Sequence, residues 1–259
     1  LGLKYLDAII LSKFLPLFYT GIYSVAVYIP ALIDAPLIAL DRITYAKIGD
    51  AWAKNNLEEI REIYSKSSRY LLLLGGLLFL GINLNIESLM KMLPENYSQG
   101  IPVVLIISIS SLFNLATGVN DSILYNSSKY IYGFYMLLFL FASALILNFT
   151  LIPILGMNGA ALATAISSLA FNALKYFFIK KSFSLQPFDI KTAKIFFIIT
   201  VVGLTVFLIP VLMSPVIDMI LRSGIIIILY VTITRMMKIA PELEPVFMSY
   251  VEKIFLRKK

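Results

Sequence analysis

The chain has 259 residues, a formal net charge of +7 and a mean hydropathy of +0.88, with 59% hydrophobic and 14% charged residues. A soluble domain carries about 45–50% apolar residues and about 25% charge, and a chain of this size cannot bury the difference, so it reads as an integral membrane protein. Cys and His are both absent, which excludes disulfides, thiolate or imidazole metal sites and a Ser-His-Asp triad within the chain.

Residues 1–19 are apolar but interrupted by Lys4, Asp7 and Lys13. They fall short of the about 20 residues that a full span needs and read as the tail end of one. The start at Leu1 adds the expectation that the chain is cut from something longer. Thr20-Gly21 reads as a turn. Ile22–Tyr45 is the second span and holds Pro30, Asp34, Pro36, Asp41 and Arg42. The polar stretch from 46 to 69 reads as a helix lying on the membrane surface, with its body at about 47–69. Asn56 can cap it with Glu59 as capping-box partner, Lys54/Glu58 and Glu62/Lys66 stand at i,i+4 spacing, and Trp52, the single tryptophan, sits where an interfacial anchor would.

Six further spans follow at Tyr70–Ile86, Ile101–Asn120, Ile131–Ile152, Gly159–Ile179, Ile195–Met213 and Ile220–Thr234. The expected fold is an all-α polytopic bundle over residues 1–234, with about seven full spans and one partial. Residues 235–259 form a basic tail, in which Leu243, Phe247, Val251, Ile254 and Phe255 make an amphipathic stripe. Most of the 22 Lys and Arg fall at 46–69, 121–130, 175–194 and 235–259, and the alternate connections carry few. By the positive-inside pattern the rich side and the C-terminus are cytoplasmic; that sidedness also argues against nucleic acid as the reason for the charge.

Between the fifth and sixth spans the run IPILGMNGAALATAISS, residues 152–168, is paved with small residues. Gly156, Ala160 and Thr164 fall four apart, and Gly159, Ala163 and Ser167 form a second row. Small residues so spaced let helix backbones approach closely in a bilayer, so the run reads as a packing motif that stiffens the bundle. No Walker loop, GxGxxG or large soluble loop occurs, so neither an enzyme nor a cofactor site is expected.

The order of elements resembles a known family. An aspartate in a fading first span precedes TGIYSVA (20–26). YSKSSRYLLLLGG (64–76), SLFNLATGVNDSILYNSSK (111–129) and LNFTLIPILGMNGAALATAIS (147–167) follow. The chain resembles the polysaccharide-biosynthesis flippases, of the same superfamily as lipid II flippases and multidrug-and-toxin extrusion transporters. The resemblance implies the second lobe of a two-lobed bundle of 14 transmembrane helices. It also implies alternating access to undecaprenyl-pyrophosphate-linked O-antigen or capsule repeat units in the bacterial inner membrane. Implied partners are the lipid-linked oligosaccharide, membrane lipids, a polysaccharide polymerase and a chain-length regulator.

Ionisable groups inside a membrane are costly and mark cavities or pathways. Asp34, between two prolines, is a candidate for substrate hydroxyls or for a coupling ion. Asp41, seven residues on, shares its face and is a second coupling candidate; its alternative is an interfacial position beside Arg42. Lys13, like Lys4, either meets the pyrophosphate or marks the membrane boundary. Asn114 either binds sugar, offering both donor and acceptor, or bonds a neighbouring helix. In related lipid II flippases a basic residue follows the Tyr-Ser-x-Ala segment, whereas here Val27, Tyr28 and Ile29 follow it. A cation-coupled drug exporter of the same superfamily and a non-transporting scaffold in polysaccharide assembly are the alternatives.

Overall fold

The computed structural model describes residues 2–210 and 214–241, with side chains from residue 6 onward. All regular structure among them is helical. The helices are α1 (Gly2–Phe14), α2 (Leu17–Tyr28), α3 (Ala31–Ala53), α4 (Leu57–Asn83), α5 (Ile86–Met90), α6 (Ile101–Ala116), α7 (Asn120–Tyr125), α8 (Tyr130–Leu155), α9 (Met157–Phe183), α10 (Ile190–Phe207) and α11 (Pro215–Met236), and a 3₁₀ turn over Glu95–Gly100 leads into α6. Five helical segments, α6 with its leading turn and α8 to α11, are long and apolar enough to cross a membrane, and six if the bent pair α2–α3 counts as one. The chain is an all-α, multi-pass membrane bundle. α4 is not among these segments because charged residues occupy its first half.

The apolar stretch of the spanning segment ending in α6 is 56% buried inside the bundle, against 22% for those of α8 and α11. α6 is thus the inner post, and α8 and α11 turn most of their apolar surface outward. One core gathers Leu11, Tyr23, Val104, Ile152 and Ala160 from α1, α2, α6, α8 and α9. A second gathers Leu72, Leu112, Ile199 and Tyr230 from α4, α6, α10 and α11. A third lies toward the basic end, around Ile48, Ile60, Tyr64, Ile123 and Ile179.

Several expectations are corrected. Thr20-Gly21 lies inside α2, and the chain breaks instead at Leu15-Pro16 and at Ile29-Pro30, where α2 and α3 meet at 47°. Proline has no N–H to continue a helix and clashes with the preceding turn, so the prolines outrank the single glycine. The separate surface helix at about 47–69 does not exist. Its first part ends α3 and its second part begins α4, because the cap lies inside the stretch. Asn55 takes a left-handed φ of 51°, and Asn56 accepts the Glu59 backbone N–H at 3.2 Å while its amide reaches the Glu59 carboxylate at 3.0 Å. No breaker separates either half from its apolar neighbour, so both run on. Trp52 is no simple interfacial anchor; its Nε1–H donates to the Ile123 carbonyl at 3.1 Å and its ring packs edge-on to Phe183. The polar turn at 121–130 opens with the short helix α7. The amphipathic stripe of the tail lies outside the described residues.

The small-residue run at 156–167 lies at the joint of α8 and α9. Gly156, φ +58° and ψ −132°, joins α8 to α9 in a conformation that favours glycine. A Cβ on Gly159 would lie 2.2 Å from the Leu151 carbonyl oxygen, a backbone atom that cannot step aside. Ala160, Ala163 and Ser167 are fully buried, and Thr164 nearly so. Gly81 has open space at the same test. Gly159→Ala is therefore expected to lower the thermal unfolding midpoint in detergent. Gly81→Ala should leave it unchanged or raise it, since alanine is favoured by roughly 0.5–1 kcal/mol over glycine in a helix interior. Scanning fluorimetry of the two variants side by side checks this.

Candidate functional site

Two polar sites are built into the apolar bundle. The first surrounds the helix break. Asp34 stands in the first turn of α3, four residues beyond Pro30. Its carboxylate accepts the Ser111 hydroxyl at 2.9 Å and the Asn114 amide at 3.3 Å, both from α6. Pro36 two residues later supplies no N–H, which removes the helical partner of the Leu32 carbonyl. The structure thus joins two sequence candidates, Asp34 and Asn114, in one half-buried cluster and adds Ser111.

Asp41 lies on the same side of α3 but belongs to a different contact. It accepts the Ser122 hydroxyl of α7. Around it Asn126 donates to the Tyr45 carbonyl at 3.3 Å, so α7 clips onto the end of α3. Arg42 beside it is exposed. Lys13 is also exposed, in the last turn of α1, and is bonded to neither Asp34 nor Asn114. The interhelical reading of Asn114 and the ligand reading are not exclusive, because its bond to Asp34 leaves its own carbonyl available.

The second site was not legible as a site from sequence. Asp7 of α1 is fully buried. It accepts the Tyr23 hydroxyl of α2 and the Asn148 amide of α8, each at 2.8 Å, and the Thr164 hydroxyl of α9. Four helices converge on one carboxyl group. Burying a carboxylate costs several kcal/mol, and hydrogen bonds to a charged acceptor return about 1.5–3 kcal/mol each. The Asn148 carbonyl oxygen, in the same cluster, is buried without a hydrogen-bond partner. The carboxylate, two hydroxyls and the Asn148 carbonyl bring oxygens from four helices together in one buried cluster. Among the described residues no group of three or more His, Cys, Asp or Glu could hold a metal ion. An aspartate in an apolar segment is the signal that could have found this site; nothing local names its partners, which are 16, 141 and 157 residues away.

Three further ion pairs tie helices together. Lys175 of α9 is buried and reaches Asp121 of α7 at 2.9 Å, with the Phe171 ring 4.1 Å from its ammonium. Asp218 and Arg222 of α11 are buried together. Arg222 donates to both Asp218 oxygens at 2.9 Å and to the Val206 and Ile209 carbonyls near the end of α10, while Ser88 donates to Asp218 at 2.7 Å. Arg69 meets Asp189 at 2.8 Å, and Asp189 also caps α10 through a capping box with Thr192. Partial burial works against ionisation of Asp189, but the Thr192 backbone N–H and Arg69 outweigh it and hold its pKa below the ordinary value.

Comparison with protein-family models, with curated proteins and with solved structures gives no match for this chain.

Two outcomes follow from these contacts. Asp7→Ala strands three donors in the core and is expected to destabilise the bundle by about 3 kcal/mol or more. Tyr23→Phe removes one bond and should cost about 1–2 kcal/mol; chemical unfolding in detergent compares them. For Asp189 the folded pKa is lowered, so its stabilisation is present above the unfolded value of about 3.9 and fades as pH falls through the folded one. The gap in melting midpoint between the parent and Asp189→Asn should therefore stay constant from pH 8 to about pH 5 and close only in stronger acid.

Proposed function

We propose that this chain is one lobe of an alternating-access transporter that moves an undecaprenyl-pyrophosphate-linked oligosaccharide, an O-antigen or capsule repeat unit, across the bacterial inner membrane. The observation that carries the reading is the broken span α2–α3 with Asp34 just past its bend, held by Ser111 and Asn114. Broken helices with polar groups at the break are the usual construction of a carrier's binding site, because irregular backbone at membrane depth is tolerated where it lines a cavity. Aspartate, serine and asparagine offer acceptors and donors to sugar hydroxyls. Exposed apolar residues on the same two helices, among them Phe18, Tyr28, Leu32 and Ile38, would meet the other lobe of a 14-helix molecule.

In this reading the buried Asp7 cluster takes the coupling proton or monovalent cation. It joins Asp34 and Asp41 as a candidate for that role and differs from both in being fully buried. Occupation of Asp7 would change how tightly α1 and α2 are held to α8 and α9, which gives the ion leverage over the helix that leads into the break. The end rich in Lys and Arg is cytoplasmic, and the polymerase and chain-length regulator act on the product at the other face. A cation-coupled drug exporter shares the Asp7 argument, but the hydroxyl-matching cluster at Asp34 favours a sugar-bearing substrate.

The test is deletion of the gene that carries this chain, with lipid-linked repeat units assayed on each leaflet. Accumulation on the cytoplasmic leaflet, with loss of surface glycan, is the expected outcome. Restoration by the parent gene but not by Asp34→Ala, and at least tenfold weaker restoration by Asn114→Ala, would place the substrate at the break. Normal glycan display in the deletion strain would overturn the proposal.

A further inference from the structure

The basic end of the bundle holds a groove that neither polar site uses. It has a volume of about 490 Å³ and is lined by Arg61 and Ser65 of α4, Lys180 of α9, and Ser184, Gln186 and Phe188 of the connection to α10. We propose that this groove binds the phosphate headgroup of an anionic membrane phospholipid, a role that stands independently of what the chain transports.

The charges come first. Arg61 pairs with the exposed Glu58 through one terminal nitrogen, Nη1, and its remaining N–H groups have no protein partner among the described residues. Lys180 has no carboxylate partner there either; its ammonium lies 3.4 Å from the Tyr176 hydroxyl, over that residue's ring. Asp189, the nearest carboxylate on the α10 side, is spent on Arg69 and on the cap of α10. The groove thus presents a guanidinium and an ammonium, the pair of donors that a phosphate diester takes. Hydroxyls of Ser65 and Ser184 and the Gln186 amide stand beside them. Ser184 is held at φ 56°, a left-handed conformation unusual for a residue with a side chain.

The surroundings then choose a lipid over a free anion. Phe188 packs against Tyr176 with ring centroids 5.1 Å apart, forming an aromatic wall at the groove. Phe177, three residues before Lys180 on α9, is 63% exposed. Ile190, at the start of α10, is 72% exposed. Acyl chains running down these side chains would leave the headgroup at Lys180 and Arg61, as in basic pockets between membrane helices generally. Aromatic side chains with a polar tip, such as Tyr176, are at home at that depth.

The experiment is native mass spectrometry of the full-length protein carrying this chain, released from detergent with phosphatidylglycerol or phosphatidylcholine added. Preferential retention of phosphatidylglycerol is expected. Arg61→Gln combined with Lys180→Gln should reduce it roughly tenfold or more, the scale of two lost basic contacts at a membrane surface. Gln186→Glu, which adds one repelling charge without removing a partner, should weaken it in the same direction and guards against a folding defect in the double variant. Lys91→Gln, at the opposite end of the bundle, should change nothing. Equal retention by the parent and both groove variants would overturn the proposal. So would displacement of the lipid by inorganic phosphate at the same concentration, which would make the groove a free-anion site.

Discussion

The close approach of α8 and α9 is the constraint on which the polar architecture depends. Gly156 turns the chain, and Gly159 lets α9 run against the Leu151 carbonyl where any side chain would collide. From that contact Asn148 is three residues back along α8 and Thr164 five residues forward along α9. The two side chains therefore reach the same depth on facing helices, and the Asp7 carboxyl enters between them from α1. Were α8 and α9 held apart by ordinary side chains, the two donors could not both reach one carboxyl group. Inside a bilayer van der Waals packing drives association, so small residues set where larger polar ones can meet.

The same logic explains the placement of the remaining charges. A charged side chain in an apolar bundle must be paired and hydrogen-bonded. Arg222 answers Asp218 and also donates to the Val206 and Ile209 carbonyls at the end of α10. Arg69 answers Asp189, which in turn caps the start of α10. α10 is therefore fixed at both ends by arginines from other helices, and its apolar middle needs only to pack. α3 is held differently. Toward α6 and α7 it is joined by the Asp34 and Asp41 hydrogen bonds, by Trp52 on the Ile123 carbonyl, by Asn126 on the Tyr45 carbonyl, and by Ile33 packed with Leu115.

Membrane character, helical class and most element centres were legible in the sequence because they rest on local quantities. Hydropathy runs give the spans, and the Asn56–Glu59 signal gives a true helix start. The small-residue run gives the α8–α9 contact through spacing alone. Boundaries failed where two local signals competed. The glycine at position 21 is a local turn signal, but the nearby prolines decide the matter, and the polar stretch at 46–69 has the composition of one body although its own cap divides it. The Asp34–Asn114 pairing was half legible: both residues stood out, but their meeting depends on α3 lying against α6. The Asp7 cluster was not legible as a cluster, since Tyr23, Asn148 and Thr164 are each unremarkable in a membrane helix and become partners only by folding.

Position along the bundle separates the tasks that the polar groups can perform. Asp7 is sealed among four helices, where a change of its charge alters the fastening of those helices and touches nothing large. Asp34 is half-buried beside a broken helix, and its carboxylate accepts bonds from Ser111 and Asn114 of α6. α2 lies between them, carrying Tyr23 on Asp7 and ending at the bend that leads to Asp34. Tyr23 occupies the middle of α2, six residues before Ile29, so a shift of α2 that follows from loss of its bond to Asp7 is carried along one rigid helix to the bend. α2 is thus one short element that runs from the Asp7 cluster to the bend before Asp34.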